Sequence, residues 1–290
     1  MTKSRFTGLG VAMITPFTKD YAVDYSALAK LTEFLIVGGV DYLVVLGTTG
    51  ETATLSKDEK KQVYKKIKDV ANGRVPLVAG IGGNNTSDVI ESISAFDFSG
   101  YDAILSVSPY YNKPNQEGIF QHYKAIAEVA PKPVIIYNVP GRTGSNISAS
   151  TQLRIANLPN IIATKEASGN FSQVMEIIAQ KPKDLLVLSG DDAFTFPFMA
   201  LGMNGVISVI GNAYPQEFSS MVNLCLDGKW DEARLIHYKL LALMDTIFED
   251  GSPGGIKVIL RQKGICGDTV RLPLANVGKA TEEKLLSLIF

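Results

Sequence analysis

The run Val134-Ile-Ile-Tyr137 and, a helical stretch later, the run Ile161-Ile-Ala-Thr-Lys165 decide the fold. Each is short, apolar and largely β-branched, as a strand buried on both faces should be, and each ends on a polar side chain. Two such strands joined through a helix make a βαβ unit, and its strands must be parallel.

Outward from this pair the unit repeats along most of the chain. Strands are predicted at residues 10–15, 42–46, 76–81, 103–107, 134–137, 161–165, 185–189 and 206–210. Eight parallel strands close a barrel, so the expected class is α/β, a (β/α)8 TIM barrel. The helices between them carry their own punctuation. Ser56 with Glu59 forms a capping box, Val63, Ile67 and Val70 supply one apolar face, and Gly73 is expected to end that helix. Asp24 caps a helix whose stripe is Leu28, Leu31 and Leu35, before Gly38 and Gly39 stop it. Helical patterns at 215–226, 230–248, 255–263 and 281–289 follow the eighth strand. The expected organisation is a barrel over residues 1–228 and a C-terminal helical domain over 229–290.

Composition narrows the function. The chain has 290 residues, and its 28 basic against 29 acidic side chains leave a net charge of −1. Without a basic stripe, the electrostatic attraction on which nucleic-acid and anionic-membrane binding depends is missing, and neither partner is expected. No run of roughly twenty apolar residues occurs, and the N-terminus lacks the pattern of a signal peptide, so a cytoplasmic protein is expected. Cys225 and Cys266 lie far apart and form no CxxC pair, which supports neither a disulfide framework nor a zinc cluster. The only histidines, His122 and His237, fall in helical stretches and are expected at the surface or in packing. Gly80-Ile-Gly-Gly83 does not continue into GxGxxG, and no Walker loop or GxSxG elbow is present. Asp191-Asp192 admits a divalent cation, a solvated turn or a supporting pair; the expected metal content is none. The same two carboxylates, after strand seven, would repel a phosphate, so the substrate is expected to be unphosphorylated.

Catalytic groups of a parallel barrel stand at the C-terminal ends of its strands. By alternation Ile161, Ala163 and Lys165 point to one side; if that side is the interior, Lys165 lies at the barrel mouth. A lysine drawn out of water favours its neutral amine, which attacks a ketone to form a Schiff base. Taken alone, a solvated lysine or a pair with Glu166 is the simpler reading. Tyr137 shares the phase of Ile135 and could face the same pocket as a proton shuttle, although strand-end tyrosines often only pack. Thr48 and Thr49 lie in a turn whose amides and hydroxyls can hold a carboxylate. Arg142, after Pro140-Gly141, can grip a second carboxylate with its fork, or simply be a surface arginine.

Five ordered motifs settle these alternatives: Gly47-Thr-Thr-Gly-Glu51, Ser108-Pro-Tyr-Tyr-Asn-Lys-Pro114, Tyr137-Asn-Val-Pro-Gly-Arg-Thr-Gly144, Lys165-Glu-Ala-Ser-Gly169 and Gly190-Asp-Asp192. Together, over nearly the whole chain, they resemble the dihydrodipicolinate synthase family of class I aldolases. The resemblance implies a (β/α)8 barrel with C-terminal helices, assembled as a homotetramer of two tight dimers. It implies condensation of pyruvate with L-aspartate 4-semialdehyde to 4-hydroxy-tetrahydrodipicolinate, toward diaminopimelate and lysine. No cofactor is implied beyond the covalent imine between Lys165 and pyruvate.

Position by position, the resemblance makes Lys165 the imine-forming residue and Tyr137 the proton donor and acceptor. Thr48 and Tyr111 complete a hydroxyl relay, Tyr111 reaching into the neighbouring subunit. Thr49 holds the pyruvate carboxylate, Ile207 lends a main-chain carbonyl, Gly190 joins the substrate-binding set, and Arg142 engages the semialdehyde carboxylate. A lysine effector site is implied at Ala53, Lys57, Lys60, Asn84, Asp88 and Tyr110. There Lys57 and Lys60 replace histidines common in strongly inhibited relatives and Asp88 replaces a glutamate, so weak inhibition or none is expected. The chain departs from the family at Ser252-Pro253-Gly254-Gly255, where many relatives have Asn-Pro-x-Pro. The alternatives are a sister aldolase acting on N-acetylneuraminate or 2-keto-3-deoxy sugar acids, and a non-catalytic ligand-binding barrel. Arg142 and the Lys-Glu-Ala-Ser-Gly run speak against the first, and the retained lysine and tyrosine against the second.

Overall fold

A computed structural model describes residues 5–290. Eight parallel strands close a barrel in chain order: β1 (Gly8–Ala12), β2 (Tyr42–Val45), β3 (Leu77–Gly80), β4 (Ala103–Val107), β5 (Val134–Asn138), β6 (Ile161–Glu166), β7 (Leu186–Ser189) and β8 (Gly205–Ser208). All eight predicted strands are present. The ring shuts where Gly8 pairs with Gly205. Gly205 takes φ +151°, and a Cβ there would stand 2.1 Å from the Gly8 carbonyl oxygen, so only glycine allows this approach.

The helices are α1 (Tyr25–Val37), α2 (Lys57–Ala71), α3 (Thr86–Ser94), α4 (Gln116–Val129), α5 (Pro140–Thr143), α6 (Ala149–Ala156), α7 (Phe171–Gln180), α8 (Asp192–Ala200), α9 (Pro215–Leu226), α10 (Trp230–Thr246), α11 (Gly254–Gln262) and α12 (Lys279–Leu288). Asp24 caps α1, and both bonds of the Ser56–Glu59 capping box open α2. That helix ends one residue before the expected glycine: Asn72 takes the left-handed position at φ +46°, which asparagine tolerates, and Gly73 follows at +71°.

The buried apolar side chains form two clusters. The barrel interior holds Ala12, Tyr42, Val44, Val78, Leu105, Ile135, Tyr137, Ala163, Leu188 and Ile207. The larger cluster, between strands and helices, includes Leu9, Leu43, Ile104, Ile136 and Val187, and extends without a break to Leu240, Leu243, Ile256 and Leu285 of the C-terminal helices. Alternation between the clusters holds along β5 and fails at one point of β6. The register between β5 and β6 shifts after Val134–Ile161, so Ile161 packs in the outer cluster and Ile162 against the inner one. The predicted common side of Ile161, Ala163 and Lys165 therefore holds only from Ala163 onward, because the irregularity adds a residue to the phase.

At the N-terminal end of the barrel each even strand is preceded by Asp or Asn. Asp41, Asp102 and Asn204 accept from the backbone N–H of Leu9, Leu77 and Val187 on the preceding odd strand, at 2.8–3.0 Å. Asn160 instead donates to the carbonyls of Ala130 and Lys132 ahead of β5. These bonds satisfy backbone groups where a strand begins. At the other end, α10 packs on α8 and α9, and α11 packs on α12. The Ser252–Gly255 departure serves this packing: a Cβ on Gly255 would lie 2.5 Å from the Ile247 carbonyl oxygen, so glycine lets α11 start against the end of α10. No helix among the described residues is long and apolar enough to cross a membrane.

Candidate active site

A cavity of about 740 Å³ opens at the C-terminal mouth of the barrel, between the strand ends and α10. Lys165, Tyr137, Thr48, Thr49, Arg142 and Gly190 all line it. Lys165 is the penultimate residue of β6, its backbone between Tyr137 of β5 and Leu188 of β7. Its side chain is only 4% exposed, and Nζ lies 4.2 Å from the centroid of the Tyr137 ring. The ring face offers a cation-π contact without accepting the amine's protons. Gly190 makes the room: a Cβ there would stand 3.0 Å from Lys165 Cε and 2.6 Å from the Ala167 Cβ.

Lys165 does not pair with Glu166. Successive strand residues face opposite sides, so Glu166 points away from the barrel interior into a cage of amides. Asn138 donates to both its oxygens at 3.0–3.1 Å, Gln152 and Gln173 donate to Oε2, and the Ser168 N–H donates to Oε1. Asn138 also accepts from the Ile147 N–H, which fastens the loop carrying Arg142 to the strand beside it. Arg142 itself is exposed on α5, a single turn that Pro140 begins.

Thr48 and Thr49 sit on a one-turn 3-10 helix, Thr48–Gly50, directly after β2. Thr49 is buried and Thr48 exposed at the cavity wall. Ile207 belongs to the barrel interior and does not line the cavity; Val209, two residues on, does. Tyr111 lies outside it too, 87% exposed, at φ +73° in a loop held by its N–H to the Thr143 carbonyl. Of the implied effector residues, Ala53, Lys60 and Tyr110 line a second cavity of about 270 Å³, which reaches Thr48 and Tyr137 from behind. Asn84 donates to the Tyr110 carbonyl at 3.1 Å, while Lys57 and Asp88 are exposed and outside that lining. Burial, and secondarily the Lys57 charge, hold the Lys60 amine below its ordinary pKa.

The two aspartates of the Gly190 motif act as struts. Asp191 caps α8, and burial raises its carboxyl above the usual range. Asp192 accepts from the N–H groups of Val209 and Ile210 at 2.9 and 2.7 Å, tying the end of β7 to that of β8, and burial pushes it up to about 6. Among the described residues no group of three or more His, Cys, Asp or Glu side chains is arranged for a metal ion. Both histidines are buried.

Sequence reasoning missed the outer wall of the cavity. His237, Tyr238, Leu241, Met244 and Asp245 of α10, with Phe248 beyond it, form one side, and Phe171 and Phe194 another. Their spacing at three and four residues was a legible helix stripe, but nothing in the stripe says that it faces a barrel mouth.

A lysine buried in a barrel mouth, beside a tyrosine ring and in one cavity with an arginine, fits a lyase of the class I aldolase type. Comparison with known proteins agrees. The chain belongs to the dihydrodipicolinate synthetase family, whose sequence model matches residues 5–289. A 4-hydroxy-tetrahydrodipicolinate synthase of Flavobacterium psychrophilum is 56% identical over 281 residues, 97% of this chain and 96% of that protein. The crystal structure of dihydrodipicolinate synthase from Aquifex aeolicus matches with a TM-score of 0.94 at 40% identity, covering 98% of this chain and 97% of that one. The enzyme of Cyanidioschyzon merolae, solved with lysine bound, matches with a TM-score of 0.94 at 38% identity, covering 98% and 97%.

Proposed function

We propose that this chain condenses pyruvate with L-aspartate 4-semialdehyde to give 4-hydroxy-tetrahydrodipicolinate, in lysine biosynthesis, through an imine on Lys165. Family membership and the names of its relatives support the reaction. The observation that carries the assignment of residues is Lys165 Nζ, 4.2 Å from the Tyr137 ring centroid, in the cavity that Arg142 also lines. In this reading residues 1–228 supply the barrel and its reacting groups, and residues 229–290 close the cavity from outside.

The neutral Lys165 amine adds to the pyruvate ketone, and loss of water leaves a protonated imine. Tyr137 gives and takes the protons of these steps, with Thr48 and Tyr111 as its relay. Thr49, with the backbone N–H groups of its turn, holds the pyruvate carboxylate, Ile207 lends a main-chain carbonyl, and Gly190 belongs to the same substrate-binding set. The imine then draws electrons from the methyl carbon, which loses a proton and attacks the aldehyde of the second substrate. Arg142 fixes that substrate by its carboxylate. Its amino group finally displaces Lys165 from the imine carbon, closing the ring and freeing the enzyme.

Borohydride with pyruvate, read by intact mass, tests the first step: the expected result is one reduced pyruvate adduct per chain, located on Lys165. An unchanged mass refutes the imine.

Tyr111 is assigned to the active site of a neighbouring subunit in a homotetramer built as a dimer of dimers. What supports this is an aromatic ring held out into solvent on a left-handed backbone, a costly conformation for a residue whose side chain makes no hydrogen bond or ring contact among the described residues. Mixed dimers of Tyr111→Phe and Lys165→Ala chains should regain activity; no recovery in demonstrated mixed dimers places the site within one subunit. The effector site is assigned to Ala53, Lys57, Lys60, Asn84, Asp88 and Tyr110 beside the smaller cavity. Lysine is expected to inhibit weakly there, because the Lys57 and Lys60 charges repel its ammonium groups.

A further inference from the structure

The Gly47–Glu51 motif ends on a residue that the proposed chemistry does not use. Glu51 is fully buried, and so is its partner Lys257 of α11, 206 positions later: Nζ donates to Oε1 at 2.5 Å. Lys257 also donates to the Thr269 carbonyl at 2.8 Å and lies 4.4 Å from the Phe17 ring centroid. The second Glu51 oxygen accepts from the Arg271 backbone N–H at 3.0 Å. The Arg271 side chain continues the connection, donating to the Thr54 carbonyl and to both oxygens of Glu59 in the first turn of α2. The C-terminal segment thus holds the turn bearing Thr48 and Thr49 from its far side.

A buried ion pair adds little to stability compared with apolar residues of the same volume, so its stability value does not explain its presence. What it does fix is position. Glu51 takes φ +52°, a left-handed conformation that a non-glycine residue keeps only when its surroundings impose it, and its N–H closes the turn on the Thr48 carbonyl. We propose that Glu51 and Lys257, with Arg271, are positioning residues: they set the Thr48–Thr49 turn against the pyruvate end of the active site and make that end dependent on the docked C-terminal helices. The proposal rests on the reading that Lys165 forms an imine with pyruvate. It predicts a selective defect, because the Arg142 loop is fastened separately, through Asn138 and Glu166.

The test uses the full chain with Lys257→Met and with the double change Glu51→Gln and Lys257→Met. Removing one charge strands the other in the interior, so the single variant should melt earlier; the double variant strands neither and should melt close to the parent. In the double variant the KM for pyruvate should rise, and borohydride trapping of pyruvate should slow, by about 10- to 100-fold, the scale of a catalytic group displaced by about 1 Å. The KM for the semialdehyde should stay within about twofold. Arg271→Gln, which removes the contacts to Thr54 and Glu59 but keeps the backbone bond to Glu51, should show the same selectivity at about threefold. A folded double or Arg271 variant with parental pyruvate kinetics, or with both substrates affected equally, overturns the positioning role. A parent protein that traps no pyruvate overturns the imine reading itself, which separates the two failures.

Discussion

Two lysines are buried among the described residues, and they are built differently. Lys257 meets a carboxylate and a carbonyl beneath the loop after β2, whereas Lys165, in the barrel mouth, has only the face of a tyrosine and makes no ion pair among the described residues. Each lies about one ring-contact distance from an aromatic side chain. The difference is the anion. At Lys257 the carboxylate and the carbonyl engage the protons of Nζ and fix its place, although burial, ahead of the Glu51 charge, holds its pKa below the ordinary value. At Lys165 no carboxylate or carbonyl among the described residues engages Nζ, which leaves the atom open to the cavity, where a nucleophile must meet its substrate. The nearest carboxylate in sequence, Glu166, is turned away and satisfied by amides, which leaves Lys165 free of it.

The largest effect that would break this comparison is at Lys165. Lys165→Ala should abolish both pyruvate trapping and turnover, while Tyr137→Phe should keep pyruvate binding and lower turnover by roughly 10²–10⁴-fold, as loss of an acid–base group does. Steady-state rates and intact mass check both; trapping that survives in Lys165→Ala puts the nucleophile elsewhere.

His122, a buried base with no carboxylate beside it among the described residues, extends the comparison to pH. Its Nδ1 lies 2.9 Å from the Thr86 hydroxyl, and burial pushes its pKa down to about 4 from an ordinary 6.5. Between those values the unfolded chain binds a proton that the folded chain refuses. Its contribution to stability is therefore complete above about pH 6.5 and is lost as the pH falls toward 4, by up to about 3 kcal/mol. Urea unfolding at pH 7 and pH 4.5 measures this, and His122→Gln should flatten the dependence; an equally steep fall in that variant assigns it to other groups.

Smaller effects are expected at the rim. Arg142→Ala should raise the KM for the semialdehyde by about 10- to 100-fold, the scale of a lost charge-assisted contact, with pyruvate trapping unchanged. Equal weakening toward both substrates would make Arg142 structural. Smallest of all is the expected response to L-lysine, with initial rates at saturating pyruvate nearly flat through millimolar concentrations; strong inhibition at submillimolar lysine overturns the repulsion argument at Lys57 and Lys60.

Much of this molecule was legible in the sequence. The eight strands and the caps at Asp24 and Ser56 follow from period and turn chemistry, whereas the strand-end rule only offered Lys165, Tyr137, Thr48, Thr49, Arg142 and Gly190 as candidates, which the family motifs singled out and which line one cavity. Those signals are local: a strand's alternation tells which side chains share a face, and eight inward faces have only one interior to share. Tertiary structure alone decided the rest. The phase slip at Ile161 depends on the register with β5, Glu51 finds Lys257 across 206 residues, and the α10 stripe from His237 to Asp245 becomes a cavity wall only because α10 packs on α8 and α9. Periodicity names a buried face or a charged residue in need of a partner, but which distant segment supplies that partner is settled by how the closed barrel and its added helices pack.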